Sequence, residues 1–133
     1  MELIPVQDTA KAPAAAFTGD VYVTPLKKGR LIASLVRFAP GARTHWHSHA
    51  NGQTLHVTEG VGYVVNRAGQ VIRMRAGDTA WTPPGEEHWH GGGATTCMAH
   101  IAMLEGLEDG DGTTWLEPVT DEQYADAQRA ATS

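Results

Sequence analysis

The sequence predicts an all-β fold, a barrel or sandwich, with one short helix at the C-terminal end. Fifteen glycines and seven prolines interrupt the 133 residues and supply many turns. Between these turns, short strand-like runs recur at regular spacing, which is typical of sandwiches and barrels. The segment Thr120-Asp121-Glu122-Gln123 has the capping-box pattern and acidic residues in its first turn. It predicts a helix from about Asp121 to about Ala130.

The strand-like runs can be followed in order along the chain. Residues 1–19 are mostly apolar or small, with Pro13 among them, and predict an arm that lies on the core or on a partner subunit. Pro25 is expected to end the first strand, and Gly60 to form a tight turn between the third and the fourth. The predicted strands are residues 20–24, 30–38, 53–59, 61–66, 71–75, 79–82 and 95–104. The predicted units are an N-terminal arm (1–19), a barrel (20–118) and a C-terminal helix and tail (119–133).

Composition restricts the class of protein and its partners. A chain with 41% hydrophobic and 19% charged residues is ordinary for one globular domain. The net charge is −5 and the longest basic run is Lys27-Lys28, which argues against nucleic acid as a partner. The single cysteine, Cys97, excludes an intrachain disulfide, and we expect it to be a small buried hydrophobe in a reducing compartment. With no signal-like or membrane-length apolar segment, the sequence predicts a soluble cytoplasmic protein without a membrane partner.

Two histidine clusters are the strongest functional signal. His45, His47 and His49 alternate, so an extended backbone places their rings on one face, and Gln53 has the same parity. A second alternating pair, His88 and His90, follows Pro83-Pro84-Gly85. A single histidine on a strand is usually a surface or hydrogen-bonded residue, but two alternating pairs beside turns favour metal binding. We interpret the two clusters as halves of one site for a divalent transition metal, for which Mn, Fe, Co, Ni and Zn are all chemically acceptable.

The spacing of these residues resembles the two motifs of the cupin superfamily. The first motif is Gly41-x5-His47-x-His49-x3-Gln53-x6-Gly60, and the second is Gly77-x5-Pro83-x-Gly85-x2-His88. The resemblance implies a jelly-roll-like double-sheet β-barrel with His47, His49 and His88 as metal ligands. It places Gln53 at the ligand position that glutamate usually holds, and Gly92 at a position that is commonly asparagine.

A narrower resemblance, to the bacterial cupin hydroxynitrile lyases, extends over most of the chain. It rests on four segments: 41–44, 52–55, 84–91 and 119–124. Those relatives are manganese-dependent enzymes that cleave or form cyanohydrins. The resemblance therefore implies a lyase that acts on a small-molecule substrate, with manganese as the first choice of metal. Gln53 is neutral, so three imidazoles and an amide leave the charge of a divalent ion uncompensated and favour bound anions.

The remaining histidines have alternative interpretations. His90 shares the face of His88 and is expected to be an acid/base next to the metal, in preference to a structural hydrogen-bonding residue. A role as a metal ligand is the other alternative, although four donors already fill the ligand set. By resemblance His100 faces the site as a second base or an orienting residue; from sequence alone it would be a core histidine. His45 is expected at the barrel mouth, and His56 outside the barrel.

Three function classes stay open at this point, and the sequence also predicts an oligomeric state. They are a metal-dependent lyase, a metal-dependent dioxygenase, and a non-enzymatic binder of small ligands. Trp46, Trp81 and Trp89 are expected either to pack the barrel or to shape a pocket for an aromatic substrate, and packing is the commoner role. The apolar arm predicts a homodimer or homotetramer.

Overall fold

A computed structural model describes residues 1–132 and contains twelve strands and one helix in that range. Ser133, the last residue of the predicted tail, lies outside the described residues. The strands are β1 (Ala10–Lys11), β2 (Phe17–Thr18), β3 (Val21–Lys27), β4 (Leu31–Phe38), β5 (Arg43–Thr44), β6 (His47–His49), β7 (Gln53–Asn66), β8 (Val71–Arg75), β9 (Thr79–Thr82), β10 (His88–Gly92), β11 (Met98–Glu105) and β12 (Thr113–Trp115), followed by helix α1 (Asp121–Thr132).

The strands form two antiparallel sheets that share β7. Sheet A has the order β1-β3-β4-β11-β7-β9, in which β7 contributes its first half. Sheet B contains the second half of β7 between β8 and β10, with β5 and β2 beyond β10. Strand β6 also pairs with β10, and β12 pairs with the other side of β6. The fold is therefore the predicted all-β double-sheet barrel, with a short C-terminal helix.

Gly60 marks the point where β7 passes from sheet A to sheet B. The prediction of a tight turn there is wrong, because β7 is continuous from Gln53 to Asn66. Gly60 has φ +73°, and a Cβ at this position would lie 1.9 Å from the carbonyl oxygen of Cys97. The opposing strand changes register between Ala99 and His100 at this level. Glycine is thus required for a close backbone approach, while the chain runs on in extended form.

Two other strand ends differ from the prediction. β3 continues through Pro25 to Lys27, with a register irregularity between them. β1 reaches only as far as Val23, so Pro25 occupies an edge position where a missing N–H is tolerated. β11 begins at Met98 instead of at residue 95, and the residues before it form an exposed loop.

Two hydrophobic clusters stabilise the barrel. One lies between the sheets and includes the fully buried Phe38, Leu55, Val57 and Met98. The other lies outside sheet B, where α1 contributes Tyr124 and Ala127 against Trp46, Tyr63, Val65, Trp89 and Val119. The capping box is confirmed, because the backbone N–H of Gln123 donates to Thr120 Oγ1 and that of Thr120 donates to Gln123 Oε1. These bonds fix the start of α1 across the outer face of sheet B.

The predicted arm is attached to the barrel at two points. β1 pairs with β3 of sheet A, and β2 pairs with β5 of sheet B. Residues 1–9 are exposed, including Leu3 and Val6. In residues 1–132, no helix is long and apolar enough to cross a membrane.

Candidate metal centre

Strands β6 and β10 bring the two histidine clusters together. His47 and His88 are register partners in this antiparallel pair, so their side chains share one face. Their ring centroids lie 4.4 Å apart, and the ring of His49 lies 4.9 Å from His47 and 5.5 Å from His88. The side chain of Gln53, at the start of β7, reaches the same point, with Oε1 at 3.3 Å from His88 Nε2. The sequence motifs thus form one buried cluster.

Two of the rings are held by backbone carbonyls of their own motifs. His47 Nδ1 lies 2.9 Å from the carbonyl oxygen of His45, and His88 Nδ1 lies 2.9 Å from that of Glu86. A carbonyl oxygen only accepts, so in each neutral ring the hydrogen is on Nδ1. Each Nε2 therefore presents a bare lone pair. This is the tautomer in which a histidine binds a metal through Nε2.

The contact between His88 and Gln53 tests whether the cluster fits a cation. His88 Nε2 has no hydrogen to donate, and Gln53 Oε1 is also an acceptor, yet the two atoms lie 3.3 Å apart. Within residues 1–132, the Nε2 atoms of His49 and His90 are buried without a hydrogen-bond partner. Such convergence of unpaired acceptors is costly for a buried cluster unless a cation satisfies them. The donor set suits a divalent transition metal.

His90 lies among the groups that could bind a metal, next to which the sequence analysis placed it. Ligand nitrogens of His47, His88 and His90 all lie within 4.8 Å of one another, so these three histidines could hold a metal ion. The ring of His49 lies 4.9 Å from that of His47, and its Nδ1 is 3.0 Å from Thr113 Oγ1. The set His47, His49, Gln53 and His88 stays a prediction. The structure adds His90 as a further donor within reach.

His90 and His100 form a buried pair beside the cluster. His100 Nε2 lies 3.0 Å from His90 Nδ1, and both side chains are nearly inaccessible to solvent. Both rings contact Phe38, with centroid distances of 5.7 and 5.3 Å. The backbone N–H of His90 donates to Thr44 Oγ1 at 3.2 Å. His90 and His100 therefore lie together beside the cluster, and their roles in catalysis stay predictions.

Burial keeps the histidines of this site neutral. It lowers the pKa of His100 to about 4, and burial together with the nearby His88 lowers the pKa of His49 to about 4. Burial also lowers the pKa of His88, and it lowers the pKa values of His47 and His90 further, helped by neighbouring histidines. Neutral imidazole is the form that binds a metal or accepts a proton.

Other residues singled out by the sequence have structural roles. His45 is buried, and its backbone serves the site through the carbonyl that accepts from His47. His56 lies on the outside of sheet A, where its Nδ1 contacts Thr79 Oγ1 at 2.9 Å. The prediction that Cys97 is buried is wrong: it is exposed in the loop before β11.

Of the three tryptophans that the sequence analysis singled out, two are buried and one is exposed. Trp46 and Trp89 are buried in the cluster beneath α1, as expected for packing residues. Trp81 is 56% exposed, belongs to neither hydrophobic cluster, and lines a surface pocket together with His88.

Strand β12 supplies site residues that the sequence argument missed. Trp115 lies opposite His47 and its ring centroid is 4.7 Å from that of His47, while Thr113 lies opposite His49. The missed signal is the alternation Thr113-x-Trp115, which repeats the parity of His47-x-His49 on a neighbouring strand.

The site opens into a cavity of about 150 Å³ inside the barrel. Its polar wall contains Thr44, His47, His49, Gln53, His90, Asp111 and Thr113, and its apolar wall contains Phe17, Val23, Ile32, Val36, Ala102, Leu104 and Trp115. This is smaller than the roughly 300 Å³ at which pockets for drug-sized ligands begin. The cavity suits a small molecule with one polar and one apolar part.

Comparisons with known proteins agree with this architecture. The cupin domain family matches residues 34–101. A protein named (R)-mandelonitrile lyase, from Granulicella tundricola, is 48% identical over 122 residues, which are 89% of this chain and 92% of that protein.

Solved structures give the same result. A cupin-like protein from Thermotoga maritima has a TM-score of 0.85 and 34% identity, with 96% of this chain and 97% of that one covered. A cupin 2 conserved barrel domain protein from Rhodopseudomonas palustris has a TM-score of 0.70 and 15% identity, with 91% of this chain and 82% of that one covered. At this identity, the similarity supports the fold alone. With its two histidine motifs gathered inside a double-sheet barrel, the chain belongs to the cupin family.

Proposed function

We propose that this protein is a metal-dependent lyase that cleaves or forms small cyanohydrins, as a hydroxynitrile lyase does. The observation that carries the proposal is the free Nε2 of His90, buried beside the cluster of metal-binding groups while its Nδ1 is engaged by His100. The 48% identity to a protein named (R)-mandelonitrile lyase supports this reaction class. A proton acceptor next to a cation site is what cyanohydrin cleavage requires.

The His90–His100 pair moves the proton in this proposal. His90 Nδ1–H donates to His100 Nε2, which leaves His90 Nε2 free to take the hydroxyl proton of the cyanohydrin. As that O–H bond breaks, the carbonyl forms and the carbon–cyanide bond breaks with its electron pair on cyanide. His100 Nε2 then stabilises the His90 imidazolium by accepting its Nδ1–H. The proton passes from His90 to cyanide, so aldehyde and hydrogen cyanide leave.

We propose that His47, His49, Gln53 and His88 hold the metal, with manganese as the first candidate. The group, when bound, supplies a positive charge that stabilises the anion formed in the reaction. Because all four donors are neutral, none of them offsets that charge, and Gln53 in place of a carboxylate is central to this argument. The apolar wall of the cavity excludes water and holds the organic part of the substrate.

The decisive experiment pairs metal analysis with two activity assays. Protein from unsupplemented cells should contain about one transition-metal ion per chain, and manganese-loaded protein should release cyanide from mandelonitrile above free-metal and chelator-treated controls. The double variant His47→Ala/His49→Ala should lose the ion, and full occupancy would overturn the site. If loaded wild type releases no cyanide but consumes oxygen with a phenolic or diketone substrate, the protein is a dioxygenase.

We also propose that the protein forms a homodimer or homotetramer. Leu35 and Ile101 are paired on the outer face of sheet A and are partly exposed, and Leu31 on the same face is 50% exposed. The exposed arm residues Leu3 and Val6 add further apolar surface. Such surface favours association between copies. Light scattering should show an oligomer that Leu35→Glu dissociates, whereas a wild-type monomer at micromolar concentration would contradict the proposal.

A further inference from the structure

The Nδ1 atoms of the three histidines proposed as metal ligands have two kinds of hydrogen-bonding partner. The Nδ1 atoms of His47 and His88 contact backbone carbonyls two residues earlier in the chain, at 2.9 Å each. No side-chain substitution removes those acceptors. The Nδ1 of His49 instead contacts the side-chain oxygen Oγ1 of Thr113 at 3.0 Å, 64 residues away. The orientation of His49 therefore depends on a single hydroxyl from another strand.

The position of that hydroxyl is fixed by β12 and the loop before it. Thr113 is the register partner of His49 in the antiparallel pair, so the two side chains lie on the same face. The backbone N–H of Ala50 donates to the carbonyl of Gly112 at 2.9 Å, and the N–H of Thr113 donates to Asp111 Oδ1 at 3.0 Å. Both bonds are made by the peptide unit between Gly112 and Thr113, so they fix the backbone on the N-terminal side of Thr113.

A hydroxyl differs from a carbonyl because it can either accept or donate. If Thr113 donates to His49 Nδ1, the hydrogen of the neutral ring is on Nε2, which then cannot bind a cation. If Thr113 accepts, the hydrogen is on Nδ1 and the lone pair of Nε2 faces the cluster. In the described chain, His49 Nε2 is one of the buried polar atoms without a hydrogen-bond partner, as expected for a ligand nitrogen.

We propose that Thr113 is the positioning residue that selects the metal-binding tautomer and orientation of His49. The inference rests on the proposed metal-binding function and adds a residue from outside both histidine motifs. Such outer partners of histidine ligands typically contribute roughly 10–100-fold to metal affinity. Because the Nδ1 contacts of His47 and His88 are to backbone carbonyls, the contact from Thr113 is the one of the three that a side-chain substitution can remove.

The test measures Mn²⁺ affinity of the full chain by electron paramagnetic resonance titration of the chelator-treated protein. Thr113→Val removes the hydroxyl at nearly constant shape and should weaken binding roughly 10–100-fold. Thr113→Ser keeps the hydroxyl and should restore affinity to within a few-fold of wild type. The matched control is Thr114→Val, because Thr114 is the exposed next residue of the same strand and pairs with Ser48. It should bind as wild type does.

The outcomes separate this inference from the function on which it rests. A wild type that takes up no Mn²⁺ overturns the proposed metal function and this inference with it. If wild type binds and Thr113→Val binds equally, only the role of Thr113 is overturned. Equal weakening in Thr113→Ser or Thr114→Val would also overturn it, because the loss would then not depend on this hydroxyl. Thermal unfolding of each metal-free variant identifies a folding defect, and Thr113→Ala replaces Thr113→Val if the valine variant does not fold.

Discussion

The two sides of β10 are equally buried but chemically opposite. All five residues of the strand are buried, yet His88 and His90 point into the barrel while Trp89 packs outside against Tyr124 of α1. Of the four buried side-chain polar atoms left without a hydrogen bond in residues 1–132, three belong to the inner histidines His49, His90 and His100. On the outer side, the Tyr124 hydroxyl donates to the Gly92 carbonyl at 2.6 Å.

The difference shows how one strand can serve stability and function at once. Buried polar groups in a folded protein are normally paired, because an unpaired one costs free energy. The outer side follows this rule almost fully: the Arg43 guanidinium donates to the Val119 carbonyl and to Asp121 and lies 4.8 Å from the Tyr124 ring centre, with only its Nε unpaired. The inner side departs from the rule at the histidines to which we assign the proposed metal and proton.

The largest expected effect is a loss of activity when a histidine on the inner side of β10 is replaced. His90→Ala removes the proposed proton acceptor and should lower the rate of cyanide release by roughly 10²–10⁴-fold, the usual loss for a general base. Metal content should be unchanged, because the four proposed ligands remain. The control is His56→Ala, since His56 lies outside the barrel and its loss should leave the rate intact. Loss of the metal in His90→Ala would instead make His90 a ligand.

On the outer side of β10, a substitution should change the stability of the fold. Trp89 is fully buried, so Trp89→Ala should lower the free energy of unfolding by about 3–5 kcal/mol, as for other buried aromatic truncations. Urea unfolding measures this. Trp81→Ala provides the matched control, because Trp81 is 56% exposed and its truncation should cost about 0.5 kcal/mol or less. Equal losses in the two variants would contradict the distinction between core and surface tryptophans.

The sequence predicted the parts of the molecule whose signals are local. Alternation placed His47 and His49 on one face and His88 and His90 on one face, and the interpretation of the two clusters as halves of one site agrees with the pairing of β6 and β10. The capping box at Thr120 gave the first residue of α1. For the capping box, the interaction that fixes the structure lies within a few residues of the pattern that predicted it, whereas the pairing of His47 with His88 joins strands distant in the chain and was inferred from the repeated His-x-His pattern.

The failures involve contacts between residues distant in the chain. Gly60 looked like a turn because a positive φ is common in turns, whereas the carbonyl of Cys97 on a facing segment is what excludes a side chain there. Thr113 and Trp115 lie in a three-residue strand, and their relation to the site arises from pairing with β6. Such pairings depend on the whole barrel, so a single sequence window does not contain them.

The inner side of β10 should also make stability depend on pH, because burial keeps its histidines neutral in the folded protein. Burial lowers the pKa of His100 to about 4 in the folded protein, against about 6.5 when unfolded. Between these values the unfolded chain binds more protons, so stability is full above pH 6.5 and falls as the pH is lowered. For the metal-free protein, His100 alone should remove on the order of 2 kcal/mol between pH 7 and pH 5. Equal urea midpoints at both pH values would contradict this.

The smallest expected effect is at the start of α1, which covers the outer side of β10. Thr120→Ala removes the oxygen that accepts from the Gln123 N–H at 3.0 Å, and loss of such a cap costs about 1 kcal/mol. Thr120→Ser keeps the oxygen and should retain most of the stability. Thermal unfolding of the two variants and of the wild type measures the difference. Because the cap lies on the outer side, neither variant should change Mn²⁺ affinity. A weakened metal site in Thr120→Ala would mean that the two sides of β10 are coupled through the strand.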